Sequence, residues 1–300
     1  MEYLPTTILA TLGGILARLY MLRRDYRQYP SYPQGWAIHL FVGFIGALLG
    51  AIMVPSFLEK EFGAVSFMLL AASQFREVRN VERLTLSNME PTELVPRGAA
   101  YIEGIARVFE ARNYIAIWIS LAIGIVSELL AFSLPLRVMG AIVVAVFLAT
   151  VLNRLMRGDS ISDIADVEIA EIEFDGPLLT VGGVVMMNVG HSEARALYCE
   201  RALGAKIVPK DPNAKATLAN IGQMQAIAHD VSSMVGVFMD VGEQEFTPLV
   251  RRDPESGKLV LAMIPAQSSK EAFLEAISNV PVLEGAIRKP LLSVAARMSE

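Results

Sequence analysis

The chain has 300 residues, 53% of them hydrophobic, with 31 acidic and 26 basic side chains and a single cysteine, Cys199. One cysteine excludes an intrachain disulfide and a cysteine-based metal site. A net charge of −5 argues against a nucleic-acid binder, which needs a basic face. The apolar runs lie almost entirely before Arg157, and charge divides at the same place. Residues 1–157 carry 14 Lys/Arg against 11 Asp/Glu, and residues 158–300 carry 12 against 20. A basic hydrophobic half followed by an acidic half of ordinary polarity predicts a membrane α-helical bundle, residues 1–157, followed by a soluble cytoplasmic α+β domain, residues 158–300. Met1-Glu2-Tyr3 lacks the basic start of a cleavable signal, so the first apolar segment is expected to stay as an anchor.

A bilayer core of about 30 Å takes about 20 apolar helical residues. Five spans are expected, over residues 4–22, 36–58, 62–75, 114–132 and 136–156. In the first, Arg18 is expected to snorkel toward the basic end at Arg23, Arg24 and Arg27. Tyr26–Gly35, with its tyrosines and prolines, reads as an interfacial loop. In the second span Gly43, Gly46 and Gly50 form a groove for another helix, and His39 reads as a plain interfacial residue. The third, Phe62–Phe75, is short, about 21 Å at 1.5 Å per residue. If it crosses, eleven arginines share one side against Lys60 and Arg137 on the other, which the positive-inside rule favours. That places the N-terminus outside and the C-terminal domain in the cytoplasm.

In the fourth span Ala116, Ser120 and Gly124 form a smooth face. Glu128 continues it as an intramembrane carboxylate close to the outer end. It is expected to pair locally with Arg137, the functional alternative being an ion or proton site. In the fifth span Ala141, Ala145 and Ala149 repeat the small-residue stripe, and the two stripes are expected to face each other.

The cytoplasmic loop 76–113 holds two charged helical stretches around breaks at Ser87–Pro91 and Pro96-Arg97-Gly98. From Ala99 onward the pattern is helical. Tyr101, Ile102, Ile105, Val108 and Phe109 form one apolar arc, with Glu103, Arg107 and Glu110 opposite. Glu103 and Arg107 make a favourable i,i+4 pair. Glycine inside a helix costs about 1 kcal/mol relative to alanine, so Gly104 is expected where another backbone comes close. Tyr101, Ile102, Glu103, Gly104, Ile105 and Ala106 are thus a candidate partner-docking element.

Read as letters, those six residues spell YIEGIA. With its length and its membrane-then-soluble layout, the chain resembles the YIEGIA family of membrane proteins from endospore-forming bacteria. The resemblance covers the whole chain. It implies a sporulation-associated inner-membrane protein linked to spore envelope assembly, and a small soluble partner described as a capping subunit. It implies no known reaction, and no catalytic role attaches to residues 101–106.

After an acidic connector, the second half reads as short strands and helices. Val167–Phe174 and Leu178–Asn188 read as strands, the latter with Gly182-Gly183 inside. Ser192–Leu203 reads as a helix capped by Ser192, Lys206–Pro209 as a strand, Ala214–Met234 as a helix interrupted near Gly222, and Val235–Asp240 as a strand. Phe246–Arg252 and Lys258–Ile264 frame a hairpin turn. Ser268–Glu271 starts a helix, and the tail is expected to be helical after Pro290. Gly190-His191-Ser192 leads into a helix where a phosphate could sit, but no P-loop spacing is present. His191 and His229 lack metal-ligand spacing, and His229-Asp230 reads as a helix-end charge effect.

No catalytic residue, cofactor or metal is therefore assigned. The expected function is a non-enzymatic membrane assembly or scaffold protein. Its partners are the lipid bilayer and a small soluble protein, not nucleic acid. The alternative is a small-solute or lipid transporter or sensor gated by the cytoplasmic domain. A third reading is a membrane enzyme acting on lipid headgroups.

Overall fold

Long apolar runs fold as helices because lipid offers backbone N–H and C=O groups no other partner. A computed structural model describes residues 3–25, 33–130, 133–155, 158–240, 243–244 and 246–292. The chain divides into two compact units. One comprises Met1–Leu84 with Ile105–Arg157, and the other Thr85–Gly104 with Gly158–Glu300. Residues 85–104 therefore belong with the α+β region, not with the helices that flank them in sequence.

The first unit contains α1 (Leu4–Asp25), α2 (Pro33–Leu58), α3 (Phe62–Ser73), most of α4 (Phe75–Met89), the greater part of α5 (Ala99–Leu129) and α6 (Leu134–Leu155). Four helices, α1, α2, α5 and α6, are long and apolar enough to cross a membrane, which makes this a multi-pass membrane protein by length and composition. The expected third span is broken. Its helix α3 stops at Ser73 after 12 residues, about 18 Å and short of a 30 Å core. The polar, amphipathic α4 starts after Gln74. Even so, α3 and α4 together run between the two ends of the bundle. Val65 of α3 shares a cavity with Leu58 and Glu128, whereas Glu82 of α4 reaches His39 near the start of α2.

Small residues decide how the helices pack. A Cβ on Gly50 of α2 would overlap the Ile117 carbonyl oxygen of α5, and one on Gly46 would stand 3.3 Å from the Asn113 carbonyl oxygen. Gly14 of α1 lies against Ala47 and the Ala116 carbonyl, Gly124 lies against Val54 and Ala10, and the Ser120 hydroxyl donates to the Ala47 carbonyl at 2.6 Å. The Ala116/Ser120/Gly124 stripe of α5 therefore faces α1 and α2. It does not face α6, as the sequence had suggested. Ala141 and Ala145 of α6 pack into a cluster with Ala10 and Ala17 of α1. The α6 contact with α5 is made by Gly140 against Val126 and Leu130. Of the loop read at Tyr26–Gly35, Pro33–Gly35 already belong to α2, and residues 26–32, the side chain of Ala149 and the tail beyond Leu292 lie outside the described residues.

In the second unit, the strands are β1 (Ala165–Ala170), β2 (Ile172–Asp175), β3 (Leu178–Val181), β4 (Val184–Asn188), β5 (Leu203–Pro209), β6 (Met239–Asp240), β7 (Glu243–Gln244), β8 (Leu249–Arg252) and β9 (Leu259–Met263). The helices are α7 (Ile161–Ile164), α8 (Ser192–Arg201), α9 (Pro212–Leu218), α10 (Ile221–Val235) and α11 (Lys270–Asn279). An antiparallel sheet has the order β1-β5-β9-β8, and β2-β3-β4 form a separate antiparallel meander.

Strand β9 is buried on both faces. Leu259, Leu261 and Met263 enter a core with α10 and α11, while Val260 and Ala262 enter a second core with the meander and Tyr198 of α8. The period-2 alternation of a strand makes this split possible.

Several sequence boundaries shift for local reasons. The run read as one strand over 178–188 is a hairpin, because Gly182 and Gly183 both adopt positive φ (52° and 80°), the requirement of a tight two-residue turn. The strand read over 167–174 breaks at Glu171, so that β1 and β2 join different sheets. The N-cap of α8 is His191, not Ser192. The interruption read near Gly222 in the helix over 214–234 falls at Ala219-Asn220, with Asn220 capping the second helix through the Gln223 N–H. Little of the strand read at Val235–Asp240 forms beyond Met239–Asp240. The Asp253–Gly257 turn matches expectation, and the cap of α11 is Ser269, accepting from Ala272 N, one residue after the start of the capping box read over Ser268–Glu271.

Gly50→Val should destabilise the helical unit by at least the 1–3 kcal/mol typical of overpacking, read as a lower melting temperature in detergent. Gly63→Ala, with open space around it, should leave the melting temperature unchanged. Equal melting of the two variants would show that α2 and α5 do not meet at Gly50.

Candidate functional site

The motif helix begins with a problem of unsatisfied donors. The first N–H groups of a helix have no intrahelical acceptor. Gln225 of α10 supplies one from a distance: its Oε1 accepts from Ala100 N at 3.1 Å and from Tyr101 N at 3.0 Å. Gly98 must be glycine twice over. Its φ is +85°, and a Cβ there would overlap the Gln225 amide. The loop before it is closed by Glu90, whose two carboxylate oxygens accept from Arg97 N (3.0 Å) and Gly98 N (2.8 Å). Arg97 in turn pairs with Glu93 at 2.7 Å. The negative Glu90 just ahead of α5 also suits the helix dipole.

Tyr101 then points into the α+β core. It is 1% exposed, and its hydroxyl donates to Asp230 Oδ1 at 3.2 Å. His229 packs edge-on to the Tyr101 ring, and its Nδ1 meets the Val95 carbonyl at 2.6 Å. A carbonyl only accepts, so Nδ1 carries the proton. Burial pushes the Asp230 carboxyl up to about 7, against the Tyr101 hydrogen bond and the Arg97 charge, which both favour its ionised form. Burial also pulls His229 below its ordinary value, with the Val95 hydrogen bond working the other way. The pair was expected at a helix end as a charge effect. It lies inside α10, on the buried stripe that also carries Ala226, Ile227 and Val231.

Four of the six motif residues, Tyr101, Ile102, Ile105 and Ala106, are buried at 1% exposure or less, leaving Glu103 and Gly104 partly exposed. The apolar arc is therefore used inside the folded chain. A Cβ on Gly104 would meet only Leu283 Cδ1, at 3.9 Å, an ordinary contact. The tight backbone approach occurs instead at Gly222, where a Cβ would stand 2.9 Å from the Ala100 carbonyl oxygen. The neighbouring Gln223 tethers the C-terminal segment, accepting from Leu283 N at 2.8 Å and donating to the Pro281 carbonyl at 3.2 Å. Division of the chain into its two units falls within the motif, between Gly104 and Ile105.

With this geometry in place, the relatives can be compared. Residues 6–293 match the family described as "YIEGIA protein". The chain belongs to the YIEGIA family. It is also 44% identical, over 289 residues, to a protein of Bacillus subtilis (strain 168) that carries the name "Uncharacterized protein YphB", covering 96% of this chain and 95% of that one. No solved structure matches. In this YIEGIA-family chain, then, the signature residues form a helix start whose polar ends are satisfied by α10.

A second polar cluster lies in the helical unit. Arg18 is fully buried, with its stem against Gly43 and its guanidinium 5.5 Å from the Phe109 ring centroid. It does not snorkel, and the Gly43 part of the glycine groove holds this side chain rather than a helix. His39 stacks on Phe109 at 4.2 Å and pairs with Glu82 at 3.3 Å, and both are nearly buried. His39 is thus not a plain interfacial residue. Glu128 lies in the last turn of α5, 3.6 Å from Arg137 Nη1. His191 is exposed while His229 is buried, and among the described residues no group of three or more His, Cys, Asp or Glu is placed to hold a metal ion. Sequence reasoning missed Gln225 and Glu82, and it gave Asp230 a helix-end role in place of a buried one. For Asp230 a signal existed: a carboxylate three and four residues after Ile227 and Ala226, inside an apolar stripe.

The pH dependence of stability follows from Asp230. Its folded-state value is raised, so its contribution is present below pH 4 and is lost as pH rises through 7. Above pH 7 the buried carboxylate costs on the order of 4 kcal/mol relative to a neutral group. Asp230→Asn should therefore melt higher than wild type at pH 8, by a margin that shrinks at pH 5 and closes near pH 4. A gap that is constant across that range would show that Asp230 ionises normally.

Proposed function

We propose that this YIEGIA-family protein is an integral membrane scaffold whose α+β unit docks a small soluble protein, in the setting of spore envelope assembly that the family resemblance implies. One observation carries the reading. The groups in the α+β unit best suited to chemistry, Tyr101, His229 and Asp230, are sealed from solvent and turned toward one another and the backbone. What the unit offers outward is surface. Glu103 and Gly104 are partly exposed, and the apolar side chains of Leu94 (47%) and Ile221 (62%) stand out. Exposed large apolar groups of this kind mark interaction sites more often when they cluster.

For orientation, α3 and the start of α4 together supply a fifth crossing, since they run from the Glu128 end of the bundle to the His39 end. That topology gathers the arginines on one side and puts the α+β unit in the cytoplasm. The transporter alternative is disfavoured because the groove of Gly43, Gly46 and Gly50 is occupied, Gly46 and Gly50 by the α5 backbone and Gly43 by Arg18.

Two measurements test this. Affinity purification from membranes of sporulating cells should recover a small soluble protein. Ile221→Glu and Leu94→Ser should each reduce that recovery at least several-fold without lowering the melting temperature, and unchanged recovery would remove this surface from consideration. Cys199, exposed and the sole thiol of the chain, reports orientation. A membrane-impermeant maleimide should label it only after cells are permeabilised. Labelling in intact cells would place the α+β unit outside.

A further inference from the structure

A cavity of about 580 Å³ opens among α2, α3, α5 and α6, within the roughly 300–1,000 Å³ range of small-molecule sites. Most of its wall is apolar, including Met53, Phe57, Val65, Leu121 and Ile125, and its polar end holds Glu128 and Arg137. From Leu121 to Glu128 the wall extends about 10 Å along α5. An apolar trough with a charged end matches an amphiphile lying along the helix.

The charges identify the head. Glu128 stands in the last turn of α5 and Arg137 in the first turn of α6. Both are at the helix ends where the dipole disfavours them, so helix stability does not account for either. Nor does their pairing satisfy Glu128. Arg137 Nη1 is 3.6 Å away, beyond hydrogen-bond reach, and donates instead to Thr6 Oγ1 at 3.2 Å. Glu128 Oε1 is buried without a hydrogen-bond donor among the described residues. A buried carboxylate oxygen left in this state is costly. A ligand bearing an N–H cation would satisfy it, and a phosphate beside that cation would face the Arg137 guanidinium.

We propose that this cavity binds one phospholipid with a primary-ammonium headgroup, of the phosphatidylethanolamine class. The ammonium donates to Glu128, the phosphate lies toward Arg137, and part of one acyl chain occupies the apolar trough. The site is independent of the docking surface on the α+β unit.

The test uses the full-length protein and lipids of identical acyl chains. Purified protein is exposed to phosphatidylethanolamine, its N-monomethyl and N,N-dimethyl forms, phosphatidylcholine and phosphatidylglycerol, and retained lipid is read by native mass spectrometry. Retention should fall stepwise as N–H groups are replaced by methyl, by about tenfold across the series, with phosphatidylglycerol no better than phosphatidylcholine. Glu128→Gln should bring phosphatidylethanolamine down to the phosphatidylcholine level. Equal retention of all five lipids by the wild-type protein would overturn the proposal, as would a Glu128→Gln variant that keeps the preference. The methylation series needs no variant, so a folding defect in Glu128→Gln leaves the outcome decisive.

Discussion

Two backbone N–H groups at the start of a 31-residue helix must find an acceptor, and Gln225 provides it for both Ala100 and Tyr101. Much of the α+β unit follows from that constraint. For the Gln225 amide to reach, α10 must come within contact of the helix start, which Gly222 and Gly98 permit because neither has a Cβ in the way. Once α10 is there, its buried face presents Asp230 to the Tyr101 hydroxyl and His229 to the Val95 carbonyl. The 90–98 loop is then drawn into the core, with Val95 packed among residues of β5, β9, α10 and α11. Four of the six signature side chains are buried within the chain, and Glu103 and Gly104 stay partly exposed.

The helical unit meets a different constraint. Its helices approach at glycines and alanines, as lipid-embedded helices do where van der Waals packing replaces a hydrophobic driving force. Into that packing it admits a few polar groups, each with a specific neighbour. Arg18 lies in the space Gly43 leaves, Ser120 donates to the Ala47 carbonyl, and Glu82 meets His39. Such groups are expensive in a membrane and mark function more often than stability. Glu128 keeps one buried carboxylate oxygen without a hydrogen bond among the described residues, and it opens on a cavity.

Local order was largely legible in the sequence. Apolar length located α1, α2 and α6 to within a few residues, because a helix in lipid must satisfy its own backbone bonds over a fixed thickness, whereas α5 begins at Ala99, fifteen residues before the span read from Tyr114. Turn chemistry located the Asp253–Gly257 hairpin and the serine cap of α11. The periodicity after Ala99 identified the buried arc of the motif helix, though not what would bury it. Where the local signal was ambiguous the reading slipped. Two glycines inside an apolar run can bend a strand or reverse it, and only their positive φ made 178–188 a hairpin. A 12-residue apolar run followed by charge can end a span or continue it through a second helix.

What the sequence by itself determined was the kind of molecule: a basic membrane-spanning half, an acidic α+β half and a helical signature, which lies in the first two turns of α5. What only tertiary structure decided was pairing. Tyr101 and Asp230 are 129 residues apart and His39 and Glu82 are 43 apart. Which stripe a small-residue face meets, whether an arginine reaches the interface or is enclosed, and which unit claims residues 85–104 are of the same kind. Periodicity and capping record how a segment satisfies its own backbone. They carry no record of which distant side chain will satisfy the donor or charge that remains, because that depends on the geometry of helices and strands brought together from across the chain.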